Sequence, residues 1–513
     1  MLSLSLPVEI RLMIIQALVD DGCSLAPFAA VSRDWSAIIE QHTFRRIRLT
    51  PSRIAELNAM TSRNRARVRS LWLCLELERY DCTGECDGDE FTRFTSSRED
   101  ALIQTALQDL FSALGTWKAN GSSLSLDISV YSTSDSEHWF KHLTFGPDEL
   151  PNKASWIQGG RQTVGANNRA AGNRQFRWQL KISRGEVPPM CAIDKAFAEI
   201  MGKAMLKAKD EKRENKWWRQ LPLVPAVTHL LLRQQTRRRW KPLALAKMIA
   251  RMPGLRELHY EPWREWDDRT QEKTDLDYVH LLRSPGIKGL SRLTIFENFH
   301  LQYAHAFSFP GDFSPPRAPS PALGQTLFEV SRGFESLSAS FMLDASDFFG
   351  SLELQPSARW PNLTTLVLTS QLLAPDEDPA DITEMLTKAA SAVARMPQLK
   401  SMEIWNGREE LAALFRYQLI RDQLSIITWR ATWHLALQPS VIRAWEAVTA
   451  RRSGRGLKLV YDQLAGENIT YNSRNLSPPT LHCVVGRHTA RALTCGQLAS
   501  AEMVYRRTTN TLQ

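Results

Sequence analysis

The residues best suited to hold a metal are Cys82 and Cys86, in YDCTGECDGDE, and His138 and His142, in EHWFKHL. Two thiolates and two imidazoles satisfy the tetrahedral preference of zinc. Their placement argues against that use, because 51 residues separate Cys86 from His138 and the cysteine pair lies in an acidic, Gly-containing stretch. A loop of unrelated residues is the default reading. Catalytic signatures are missing too: there is no Gly-rich phosphate loop, no G-x-S-x-G, no H-E-x-x-H and no kinase motif. No cofactor and no catalytic residue is implied, and the chemistry that is left is recognition. Aromatic residues are the candidates for it. In HYEPWREWDD, Tyr260 is followed by Trp263 and Trp266 around Arg264 and Glu265, and Trp405 takes the equivalent position after its own strand in EIWNGRE. A packed aromatic corner is the preferred reading for Trp263 and Trp266; the alternative is that these four line a shared face that touches a protein target.

Charge offers a second kind of recognition. Between Arg45 and Arg69 there are eight Arg against one acidic residue, Glu56, and RQQTRRRWKP (residues 233–242) adds another basic run. With Trp72 and Trp240 nearby, nucleic acid is one reading, since cationic side chains meet phosphates and aromatic rings stack bases. No recognised nucleic-acid module is present, so a solvated basic surface, or one that meets an acidic protein, is preferred. The net charge of +9 is compatible with either.

The elements that must position these residues begin with LPVEIRLMIIQAL, Leu6 to Leu18. Pro7 suits a first helical position, and Ile10, Ile14 and Leu18 recur four residues apart. Met13 and Ala17 widen that stripe, while Leu12, Ile15 and Val19 form a second one. One face cannot bury both. A short helical piece with Ser24 as its cap follows, and then SRDWSAIIEQHTF, in which Val31, Trp35, Ile38, Ile39 and His42 have the spacing of a buried helical face. Three short helices in so few residues bury little surface by themselves and need a partner or a neighbouring domain.

Leu6-Pro7, Glu9-Ile10, Ile14, Leu18, Leu25 and the block Val31-Ser32-Arg33-Asp34-Trp35 resemble the F-box, the three-helix module that docks on the Skp-type adaptor of cullin-RING ubiquitin ligases. The resemblance implies that Leu6, Pro7, Ile10, Ile14 and Leu18 meet the adaptor, and that Val31 and Trp35 help to build the bundle. Further on, RIRLTPSRIAEL, HYEPWREWDD and EIWNGREELAALFRYQL resemble a set of fungal F-box proteins whose C-terminal region has no assigned activity.

Within that C-terminal region a phrase recurs: MPGLRELHY, WPNLTTLVL and MPQLKSMEIW, with weaker copies in RSLWLCLEL, AVTHLLL, GLSRLTIF and FESLSASFML. Helical patterns such as LALAKMIAR and ITEMLTKAASAVAR lie between copies, which are roughly 28 to 44 residues apart. The expected fold is α/β: a three-helix F-box over 1–45, then an irregular leucine-rich-repeat-like helix-strand solenoid over 46–513. Each unit buries its apolar face only against its neighbours. The alternative is an ordinary α/β chain with coincidental Leu spacing. Residues 151–179, rich in Gly, Asn and Arg, and residues 310–323, rich in Pro, read as mobile insertions.

The expected function is a substrate-recognition adaptor that joins a Skp-type adaptor, and through it a cullin scaffold, to an unknown protein target. The alternatives are a non-degradative F-box scaffold or regulator, or a basic nucleic-acid-associated factor. No stretch of about 18 apolar residues is present to span a bilayer. Seven scattered cysteines suit a reducing compartment, so the chain is expected in the cytoplasm or nucleus.

Overall fold

The structure, a computed structural model, describes residues 7–21, 23–79, 91–119, 123–133, 197–201, 208–233, 236, 238–265, 268–297, 319–408, 411–420, 424–452 and 456–464. Three helices come first: α1 (Val8–Asp20), α2 (Ala26–Ala29) and α3 (Arg33–Thr43). Strand β1 (Arg46–Leu49), the single turns α4 (Pro51–Ile54) and α5 (Leu57–Met60), β2 (Ser70–Leu77), α6 (Phe91–Gly115) and β3 (Leu124–Ser132) follow. Next are β4 (Glu199–Ile200), α7 (Ala208–Gln220), β5 (Val227–Leu232), β6 (Arg239–Trp240), α8 (Pro242–Ile249) and β7 (Glu257–Tyr260). Then come α9 (Asp268–Arg283), α10 (Pro285–Lys288), β8 (Arg292–Phe296), α11 (Pro321–Val330), β9 (Ser336–Ser340), α12 (Ala345–Leu354) and β10 (Thr365–Thr369). The last group is α13 (Pro379–Val393), β11 (Ser401–Arg408), β12 (Leu411–Ile420), β13 (Leu424–Ala431), α14 (Pro439–Arg452) and β14 (Leu457–Gln463).

Twelve strands form one sheet in chain order, β1-β2-β3-β5-β7-β8-β9-β10-β11-β12-β13-β14, while β4 and β6 pair by themselves. Neighbours are parallel from β1 to β11; β12 is antiparallel to both β11 and β13, and β14 returns parallel to β13. The fold is thus mixed α/β around a large, mostly parallel sheet. A parallel step needs a crossover, and helices supply it. Right-handed crossovers that keep stepping in one direction put their helices on one face. Accordingly α8, α9, α11, α12, α13 and α14 pack each against the next.

Register explains the core. Leu258, Leu293, Leu337, Leu366 and Met402 are paired across β7 to β11, and two residues on Tyr260, Ile295, Ala339, Leu368 and Ile404 form a second row. All ten are buried. They fall on the face that packs against the helices, because alternate residues of a strand share a face. The recurrent Pro-x-Leu phrase is the turn that enters each strand. Met252, Trp360 and Met396 before it, and Leu255, Leu363 and Leu399 within it, are all buried. Trp360 also donates its indole N–H to Ser331 Oγ at 2.7 Å.

Three expectations need correction. The Pro-rich stretch does not run to Leu323: α11 begins at Pro321 and Leu323 is buried, as suits Pro in a first helical turn. Its residues 310–318, and the whole of 151–179, lie outside the described residues. Ser24 does not cap α2, whose N-cap position is Leu25 and carries no side-chain cap. Finally, β11, β12 and β13 form an antiparallel meander rather than further copies of a strand-helix unit. Among the described residues no helix is long and apolar enough to cross a membrane.

Candidate docking site

The N-terminal helices carry the clearest unsatisfied surface. Pro7 stands just before α1, exposed, and its carbonyl accepts the first helical hydrogen bond, from the Arg11 N–H at 3.1 Å. Of the side chains described along α1, only Ile15 is buried; Ile14 and Leu18 are half-buried. Val8, Ile10, Leu12 and Met13 are 50%, 41%, 49% and 67% exposed. The surplus apolar side chains of the helix face solvent, although Leu12 and Ile15, read as one stripe, face opposite ways. Leu6 lies outside the described residues.

What holds α1 is partly polar. Arg11 Nη1 reaches Asp34 Oδ2 of α3 at 2.8 Å. Helix α3 is capped by Ser32, whose Oγ accepts from the Trp35 N–H at 3.3 Å. It buries Ile39 and half-buries Trp35 and Ile38. Val31, expected in the bundle core, is instead 64% exposed. It precedes the Ser32 cap, so the helical period does not extend to it and its side chain is left exposed. Helix α3 is tied to the sheet domain by Glu40, which accepts from Asn64 Nδ2 at 3.4 Å and Arg67 Nη1 at 3.2 Å.

The aromatic candidates behave differently. Tyr260 is buried in the helix-facing row, donates its hydroxyl to the Trp240 carbonyl at 2.8 Å, and has its phenol pKa pushed up by burial. Trp263 is buried edge-on against Phe197, with centroids 5.1 Å apart. Trp405 is fully buried on the opposite face of the sheet among Phe296 and Phe341. These three therefore do not offer a surface to a target, and Tyr260 and Trp405 face opposite sides of the sheet. Trp266 lies outside the described residues, as do Cys82, Cys86, His138 and His142. Among the described residues no group of three or more His, Cys, Asp or Glu side chains is placed to hold a metal.

Polar groups line the sheet face without helices, and Arg233 and Arg239 of the second basic run are buried and half-buried rather than solvated. His229 Nε2 lies 3.1 Å from Glu257 Oε2, which keeps the Glu257 carboxyl below its usual pKa, and His259 Nε2 lies 2.8 Å from Glu261 Oε1. Arg233 Nη2 and Asp127 Oδ2 form a buried pair at 2.6 Å. Near the ends of β5 and β7, Glu265 takes bonds from Thr274 Oγ1 at 2.9 Å and from Arg239, and Gln271 accepts its backbone N–H at 2.9 Å. These are mutually satisfied pairs rather than a poised nucleophile. Only part of this was open to sequence reading: Asp127 and His259 alternate with the buried positions of their strands, whereas Arg233, Glu261 and Glu265 lie beyond strand ends.

A groove of about 620 Å³ between α13 and α14 is lined by Pro379, Thr383, Glu384, Thr387, Lys388 and Gln438. Lys388 is already occupied by Glu353 at 2.9 Å and Glu384 at 2.6 Å, so the groove presents no unpaired charge at its Lys.

Residues 284–485 match the model of a protein family described as a family of unknown function (DUF6546). The match covers the part of the sheet from β8 onward and does not reach the N-terminal helices. No curated protein and no solved structure gives a match.

Proposed function

We propose that the chain is a non-catalytic substrate-recognition adaptor, an F-box protein in which α1 to α3 dock on a Skp-type adaptor and the β/α body holds a protein target near the ubiquitin-transfer machinery of a cullin ligase. On this reading the body is an irregular leucine-rich-repeat-like solenoid, whose strands lie side by side in chain order. The observation that carries the proposal is the apolar surplus of α1 and of Val31 in a module anchored through Glu40. An apolar patch rimmed by polar residues on a small helical module is the mark of a protein-docking surface. Its residues include Pro7, Ile10, Ile14 and Leu18, which the motif resemblance assigns to the adaptor. The mechanism is tethering: holding the target beside the transfer machinery raises its effective concentration there, so no active-site residue is required.

The test is binding of the full chain to a purified Skp-type adaptor, with wild type compared with a variant carrying Leu6→Ala, Pro7→Ala and Ile10→Ala. Saturable binding by the wild type, lost in a variant that melts at the same temperature, supports the reading. A folded wild type that does not bind the adaptor overturns it.

A further inference from the structure

The β1 corner of the sheet gathers the arginine run that the sequence displays. Arg69 and Ser70 donate their backbone N–H groups to the Arg45 carbonyl at 2.9 and 3.0 Å, which brings Arg45 and Arg69 together at the start of β1 and β2. Arg65 and Arg67 occupy one 3-10 turn just before β2, and Arg63 lies two residues before that turn. Arg67 also reaches the Ala37 carbonyl of α3 at 3.3 Å, so the cluster abuts the N-terminal helices.

Little negative charge answers this cluster. Glu40 meets Arg67. Arg65 is engaged by Asn58 Oδ1 at 3.1 Å and Arg69 by the Ala66 carbonyl at 2.7 Å, both neutral partners. Arg45 and Arg63 are exposed and make no side-chain hydrogen bond or ion pair among the described residues. Partial burial and the charges of Arg45 and Arg46 also hold the His42 imidazole below its usual pKa, a local sign of positive potential.

We propose that this corner is an interaction surface for an acidic protein segment, centred on Arg45, Arg63, Arg65 and Arg69. The class of partner follows from the aromatic rings. Binding of single-stranded nucleic acid combines phosphate contacts with open ring faces on which bases stack. Here the two nearby rings are taken: Arg48 lies 5.1 Å over Trp72 and Arg65 lies 5.1 Å over Trp117, and both Trp are buried. What stays accessible is guanidinium, whose planar fork matches carboxylates. The inference is independent of the adaptor reading, because none of the α1 side chains takes part.

The experiment measures binding of the full chain to a labelled oligo-glutamate peptide and to a labelled random-sequence DNA duplex, each at low and high salt. The comparison is between wild type, Arg45→Glu/Arg63→Glu, and a control of equal charge change on an exposed stretch of α7, Lys212→Glu/Lys216→Glu. The expected result is salt-sensitive binding of the peptide that weakens about tenfold or more in the first variant and much less in the control. Should the reversed charges unfold the protein, Arg45→Gln/Arg63→Gln supplies the same comparison. Absence of peptide binding, or equal loss in both variants, overturns the proposal. Tighter binding of the duplex than of the peptide, lost in the same variant, overturns it in favour of nucleic acid.

Discussion

Asp347 shows how packing of neighbouring helices sets the chemistry of one residue. Gly324 of α11 lets α12 come so close that a Cβ built there would lie 2.6 Å from the Asp347 Cβ. Half-buried by this approach and facing the Asp344 carboxylate, Asp347 has its pKa pushed up to about 6. Asp344 itself is held by donors, the N–H groups of Ser346 at 2.8 Å and Gln371 at 2.7 Å and the Ser370 hydroxyl at 2.8 Å. The sign is fixed by comparing states: a folded pKa above the unfolded value of about 3.9 favours the protonated form in the fold. That stabilisation is complete below pH ~4 and is lost as pH rises through about 6. Because Asp347 is only half-buried, solvent screening cuts the full linkage value, and Asp347→Asn should stabilise the protein at pH 7 by about 1 kcal/mol at most, with the advantage over wild type vanishing near pH 4. Thermal melts at the two pH values read this directly; an equal difference at both would show that charge is not the cause. None of this was legible in the sequence, where Asp347 is one acid in a helix and its closeness to Gly324 is a tertiary fact. The same limit explains Tyr260, Trp263 and Trp405. Alternation tells which residues of a strand share a face, but not whether that face is covered, so a target-facing reading stood beside the packed corner until the structure put these rings in the core.

At the scale of elements, periodicity was informative where apolar residues repeat with a clear punctuation. The phrases around Pro253, Pro361 and Pro397 are repeat units that run into alternating apolar residues, and β7, β10 and β11 follow them. Strand β12, LAALFRYQLI, carried a nearly continuous apolar pattern that short windows cannot assign to helix or strand, and its antiparallel pairing was missed. Helix α1 is the instructive case, since its two stripes foretold a surface that the chain alone does not bury. The structure cuts across them: Ile15 of the second stripe turns inward while Leu12 of the same stripe, with Ile10 and Met13 of the first, faces outward. Leu12→Ser with Met13→Ser should change the unfolding free energy by only about 0.5 kcal/mol, as exposed substitutions do. Ile15→Ala should cost about 2 kcal/mol or more, as loss of a buried side chain does. Denaturant unfolding of the two variants makes the comparison. A large loss from the double Ser variant would mean that this face packs within the protein, which would remove the basis for a docking role.

Across the whole molecule, the ordering of the sheet makes a claim about cooperativity. With β4 and β6 set aside as a separate pair, every inner strand of the sheet lies between the sheet strands before and after it in the chain, and helices α8, α9 and α11 to α14 pack on one another in the same order. On the proposed repeat-array reading, stability is carried largely by nearest-neighbour interfaces, so damage spreads outward from where it is made. Leu366 sits at 0% exposure in β10, paired with Leu337 of β9 and Met402 of β11. Leu366→Ala should cost about 2–5 kcal/mol locally. Amide hydrogen exchange should accelerate in β9, β10 and β11 and change least in β2 and β3, which lie five or more strands away in the sheet order. A uniform rise from β2 to β13 would instead identify the sheet as one cooperative unit. The two outcomes bear differently on function. Local opening lets one part of the body yield to a partner while the β1 corner and the N-terminal helices keep their places, whereas global opening makes every docking surface depend on every strand.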